Sequence, residues 1–237
     1  MVIQESERLS LRTYRKLIKL QIGVNRVRGD KKGYDGLYPW GAYDSNIKNY
    51  EITFEKVLNG KKIKDLLKDK EKPIVVDLMA PTGTIHSLSE ELSKKEMMGI
   101  AVSLEDLRTD TKRKRETGLN ITQIAGDILL PSTWNKLKEQ LQGRKADLIM
   151  ERAVCGFDCI PQDLGIGAHL LNKAWKLLSR DNGIFLVEIP AWPKFSGPSP
   201  IAEIERVLKN QKDVIIDHNT FTMKLIKSAN SPEKLFS

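Results

Sequence analysis

The residues able to do chemistry are few and widely spaced in this chain. Cys155 and Cys159 lie four apart, and the three histidines, His86, His169 and His218, are scattered elsewhere. A structural zinc site wants four such ligands, so the cysteines read as ordinary thiols and no metal site is expected. Carboxylates are better placed. Asp77, Asp127 and Glu151 each stand in or just after a short apolar run. A carboxylate at the end of a buried strand faces the open end of a sheet, where it can take a proton or hold a polar ligand. Glycines mark the same places: Gly83 follows the run containing Asp77, and a glycine immediately precedes Asp127. Such glycines permit unusual backbone angles and close backbone approach.

A second group lies near the N-terminus. All five tyrosines fall in the first fifty residues, together with Trp40. Tyr34, Tyr38, Trp40 and Tyr43 offer either an aromatic lid, able to exclude water and grip planar or cationic groups, or a face that packs this segment onto the core. Upstream, Arg8, Arg12, Arg15, Lys19 and Arg26 recur at helical spacing along one stripe, with Leu11, Tyr14, Leu17, Ile18 and Ile22 on another face. That stripe suits nucleic-acid phosphates or a solvated helix face, and the run Lys112 to Arg115 extends it. The Gly- and Tyr-rich stretch 29–46 reads as a long loop.

The elements that must position these residues follow from hydrophobic patterning. Short runs rich in Ile, Val and Leu predict strands at 74–79, 98–103, 121–125, 147–151, 184–189, 213–217 and 221–227. Their nearly continuous hydrophobicity is that of strands covered on both faces. Between them the pattern predicts helices at 84–95, 104–117, 133–142, 166–179 and 201–210. Alternation of this kind means a doubly wound, mostly parallel sheet. Only three residues separate the last two strands, too few for a parallel crossover, so the sheet ends in an antiparallel hairpin. The 237 residues, 40% hydrophobic, suit one such domain, 54–237, behind a basic, aromatic segment, 1–53. No apolar run reaches the ~20 residues of a membrane span, and the N-terminus has no apolar signal region. A cytoplasmic protein without membrane contact is expected. The net charge of +8 admits an anionic partner.

The stretch VVDLMAPTGTIHSL (75–88) resembles the first motif of class I, S-adenosylmethionine-dependent methyltransferases. MMGIAVSLEDL (97–107), IAGDIL (124–129), ADLIMERAVCGF (146–157) and LLSRDNGIFLVEI (177–189) resemble the next four strand segments, in that family's order. The resemblance covers about 54–228 and implies a Rossmann-like fold with adenosylmethionine bound at the strand ends. It implies cofactor contacts from Asp77, Met79, Ala80, Gly83, Ser103, Glu105, Asp127 and Ile128. Asp77 would orient the turn or reach the methionyl amine through water; Asp127 would accept from the adenine amino group, with Ile128 on the ring.

Two departures stand out. Where many members have Gly-x-Gly-x-Gly, this chain has Met79, Ala80, Pro81, Thr82 and Gly83. The acid that usually ends strand two to grip the ribose falls on Ala101 in the simplest alignment, with Glu105 or Asp106 as substitutes a turn later. Glu151 serves either as a general base or as a structural partner of Arg152 or a neighbouring helix. The functional expectation is a methyltransferase with RNA favoured over a small-molecule acceptor. The alternative is a non-catalytic scaffold of the same fold that holds RNA or protein. A nicotinamide dehydrogenase fits poorly, because its Gly-x-Gly-x-x-Gly turn is missing.

Overall fold

The computed structural model describes residues 46–92, 96–103, 106, 108–152, 164–189, 200–209, 211, 213–218 and 222–236. Seven strands form one sheet: β1 (Ile74–Leu78), β2 (Met98–Ser103), β3 (Ile121–Ala125), β4 (Leu148–Glu151), β5 (Gly183–Glu188), β6 (Val214–His218) and β7 (Thr222–Lys227). Their order is β3-β2-β1-β4-β5-β7-β6. The first five run parallel, whereas β7 pairs antiparallel with both β5 and β6. The β1 to β7 bounds agree with the sequence reading to within a residue. β1 stops at Leu78, one residue early, because Met79 turns to a φ of 60°.

Both faces of the sheet are covered, which is why β1, β2 and β4 are buried at every position. One face carries Val75, Asp77, Ala101, Leu148, Met150 and Leu186. Over it lie α1 (Ile47–Thr53), α2 (Glu55–Leu58), a 3₁₀ turn (Ile63–Leu67) and α3 (Gly83–Glu91). Gly99 lets α3 settle close: a Cβ there would stand 2.3 Å from Ile85 Cγ2. The other face, with Val76, Ile100, Val102, Ile149, Phe185 and Val187, packs on α5 (Pro131–Leu141), α6 (Leu164–Leu177), α7 (Pro200–Leu208) and the tail residues Leu235 and Phe236.

Local chemistry sets the helix ends. Pro131 opens α5, where its missing N–H costs nothing, and Trp134, Leu137 and Leu141 form the buried stripe. In α1, Asn46 caps the first turn by accepting from the Asn49 N–H. The sequence left 47–67 without helices, because elements of seven, four and five residues carry too few periods to register. The helix read over 104–117 is α4 (Asp110–Gly118); Thr109 caps it by accepting from the Lys112 N–H. That over-long reading had no apolar stripe to mark a boundary. Among the described residues no helix is long and apolar enough to cross a membrane.

Candidate functional site

Strand order reverses between β1 and β4, and their carboxyl ends form the crevice where an open α/β sheet takes its ligand. Asp77 lies in β1, paired in register with Ala101 of β2 and Met150 of β4. Its side chain is fully buried beneath α1, where the Tyr50 hydroxyl donates to Oδ1 at 2.8 Å. Oδ2 is buried with no hydrogen-bond partner. Burial pushes the carboxyl up to about 8, against the hydrogen bond from Tyr50, the neighbouring Thr84 hydroxyl and the Arg152 charge, all of which lower it. Burial also raises Tyr50 well above its ordinary value, with the Asp77 charge adding to it. The Arg152 guanidinium lies 5.9 Å from the Tyr50 ring centre and donates through Nε to Thr53 Oγ1 at 3.0 Å. α1 is thereby fastened to the ends of β1 and β4.

The turn after β1 is tight. Met79 is buried and holds a left-handed φ of 60°, a conformation that costs a non-glycine residue about 1–2 kcal/mol. The Ala80 N–H donates to the Val102 carbonyl at 2.9 Å, tying the turn to β2. Gly83 is the first residue of α3, and Thr82, just before it, is fully buried. Thr82 does not cap α3; its hydroxyl donates to Glu116 of α4.

Ser103 ends β2, where it is buried and accepts from Gln123 Nε2 at 2.6 Å. Beyond β3, Gly126 lets the chain turn against α5, since a Cβ there would meet Thr133 Oγ1 at 2.6 Å. Asp127 then accepts the Leu129 N–H on Oδ1 at 2.9 Å, while Ile128 is buried and its carbonyl takes the Trp134 indole N–H at 2.8 Å. Glu151 ends β4 with no exposed surface. The structure therefore brings Asp77, Met79, Ala80, Gly83, Ser103, Asp127, Ile128 and Glu151 to the ends of four neighbouring strands. Glu105, the aromatic set Tyr34, Tyr38, Trp40 and Tyr43, the stripe from Arg8 to Arg26, and both cysteines lie outside the described residues.

The alignment that puts the family's ribose acid at Ala101 falls short of the strand end. Ala101 is two residues short of the end of β2 and fully buried between Asp77 and Gln123, so it lies inside the strand rather than at its end. The described acid past β2 is Asp106. Arg108 grips it through Nε at 2.8 Å and Nη2 at 2.9 Å, and Arg113 approaches at 3.4 Å. The Arg108 hydrogen bonds hold Asp106 down at about 2. In the basic run of α4, Arg113 pairs with Asp110 at 2.9 Å and Arg115 with Glu90 at 2.9 Å, so part of its charge is already neutralised. No group of three or more metal-binding side chains occurs among the described residues.

Sequence reasoning missed Tyr50, Thr84, Arg108 and Glu116, and named Arg152 only as a partner for Glu151. Tyr50 and Asp77 are 27 positions apart, and Thr82 and Glu116 are 34 apart. The available signals were slight: a tyrosine four residues after a capping asparagine, and an acid inside a basic run.

No protein-family model matches the chain, and no curated protein matches it in sequence. Solved structures do match. A protein from Plasmodium falciparum described as a ribosomal RNA methyltransferase superposes with a TM-score of 0.50 at 15% identity, covering 82% of this chain and all of its own. TrmN from Thermus thermophilus gives 0.41 at 15% identity, over 73% of this chain and 51% of its own. The MycE methyltransferase of mycinamycin biosynthesis gives 0.43 at 9% identity, over 76% of this chain and 47% of its own. With the strand order and the terminal hairpin, the first of these shows the fold: a Rossmann-like, mostly parallel sheet ending in an antiparallel hairpin, shared with that methyltransferase.

Proposed function

We propose that this chain is an S-adenosylmethionine-dependent methyltransferase. The observation that carries the reading is the turn after β1. Met79 keeps the left-handed backbone that a glycine would adopt most easily, and Ala80 is bonded to β2. A turn of that shape presses main chain against a ligand in the strand-end crevice.

The surrounding residues fit that ligand. Asp77 Oδ2, buried and without a hydrogen-bond partner, would meet an amine through one water, the amine's positive charge drawing the proton off the carboxyl. Asp127 and Ile128 stand beyond β3 for the adenine amino group and ring, and Ser103 ends β2 beside them. Adenosylmethionine brings a methyl group already activated on a sulfonium. The chain's own task is to align an acceptor with that methyl and exclude water, which needs no general base. Glu151, fully buried, need not reach the acceptor. We assign residues 1–53 as the segment that covers the crevice of the 54–237 domain, with Tyr34, Tyr38, Trp40 and Tyr43 as the lid.

RNA is the favoured acceptor. Support comes from the net charge of +8, the stripe from Arg8 to Arg26, and the ribosomal RNA activity by which the Plasmodium neighbour is described. The test is transfer of a radiolabelled methyl group from adenosylmethionine to RNA, protein or small-molecule fractions. RNA labelling that fades between 50 and 200 mM salt supports the reading, because phosphate contacts release counterions. Label in the small-molecule fraction would replace RNA as the acceptor, and label in none would remove the activity. The second reading, a non-catalytic scaffold, is favoured by β2, which carries Ala101 and ends in Ser103 with no carboxylate of its own.

A further inference from the structure

Helix α4 is unusual in what it buries. Its sequence is DTKRKRETG, and its one buried side chain is a carboxylate, Glu116. A surface helix ordinarily docks through an apolar stripe. α4 has none, so the buried contact it makes is polar. The fully buried Glu116 receives the Thr82 hydroxyl on Oε1 and Arg108 Nη1 on Oε2, the latter at 2.9 Å. Arg108 is 12% exposed and carries Asp106 on its other edge. Thr82 belongs to the turn between β1 and Gly83, and Asp106 and Arg108 belong to the segment after β2. One carboxylate thus joins the two stretches of backbone that flank the crevice at the ends of β1 and β2.

We infer that Glu116 is a positioning residue for nucleoside binding: through Thr82 it fixes the turn after β1, and through Arg108 it fixes the direction of Asp106. The inference rests on the cofactor reading above and deepens it. Two features separate this role from generic helix docking. The Thr82 hydroxyl is spent on Glu116 and leaves the start of α3 uncapped, so a helix-stabilising contact has been given up to hold the turn. Arg108 meets Asp106 edge-on with two nitrogens, a geometry that sets the plane of the acid as well as its distance.

The test is calorimetric titration of the full chain with adenosylhomocysteine, using wild type, Thr82→Val, Glu116→Gln and Glu116→Ala. Urea denaturation runs in parallel. A dissociation constant measured on protein that stays folded does not register a uniform loss of stability, so the two readouts separate positioning from bulk support. We expect Glu116→Ala to raise the dissociation constant at least tenfold and Thr82→Val at least threefold. Glu116→Gln can still bond both partners and should stay within threefold of wild type. Where Glu116→Ala does not fold, Thr82→Val carries the test, since it leaves the pair with Arg108 in place. Wild-type binding with an unchanged constant in Thr82→Val and in any folded Glu116→Ala overturns the inference alone. No binding by folded wild type overturns the cofactor reading, and this inference with it.

Discussion

Asp77 allows the electrostatics of the crevice to be tested without knowing the acceptor. Its carboxyl is fully buried, with the Tyr50 hydroxyl donating to Oδ1 and the Thr84 hydroxyl beside it. Burial carries its pKa from 3.8 to about 8. Between roughly pH 5 and 7 the folded protein therefore holds a proton that the unfolded chain has released. Raising the pH favours the state with fewer protons, so this stabilisation is whole below about pH 4 and is lost as pH rises through 8. One proton gives a slope of about 1.4 kcal/mol per pH unit, or about 3 kcal/mol from pH 5 to 7. Asp77→Asn keeps the shape of the protonated acid and cannot titrate. Urea denaturation of wild type and variant at pH 5, 6 and 7 should show their difference moving by about 3 kcal/mol in favour of the variant. Lys227, which burial lowers from 10.5 to about 8, contributes the opposite slope only above that window. Parallel stability curves would mean that Asp77 is ionised when folded, and the buried-acid account would be refuted.

Three further outcomes follow from particular contacts. Met79→Gly relieves about 1–2 kcal/mol of left-handed backbone cost but forfeits about 2–5 kcal/mol of buried packing, so urea denaturation should show a net loss; a net gain would show the side chain to be poorly packed. Asp127→Ala should weaken adenosylhomocysteine about tenfold or more, the value of one charge-assisted hydrogen bond, and calorimetry at an unchanged constant would remove Asp127 from the cofactor contacts. Removing residues 1–45 should leave a cooperatively unfolding core beginning at the Asn46 cap, yet abolish methyl transfer; unchanged turnover would dispose of the lid.

The strands were legible because burial on two faces writes itself as continuous Ile, Val and Leu, and a three-residue link dictated the antiparallel end. The segment 47–67 was not legible, since α1 buries only Ile47 and Tyr50 and α2 only Val57 and Leu58. At the site, Asp77, Ser103, Asp127 and Glu151 could be located because each lies in or beside a strand. Their partners could not. Whether Asp77 meets a tyrosine or Thr82 meets Glu116 depends on how α1 and α4 cross the sheet, which spacing along the chain does not encode. Ala101 illustrates the same limit: alignment put the absent acid on Ala101, two residues inside a strand whose end at Ser103 the hydrophobic pattern had located.

The most direct test of the central claim is calorimetric titration of the intact wild-type chain with adenosylmethionine and adenosylhomocysteine. The account predicts one site per chain with micromolar affinity for both. Folded protein that gives no heat, and no rise in melting temperature with either ligand, would contradict it.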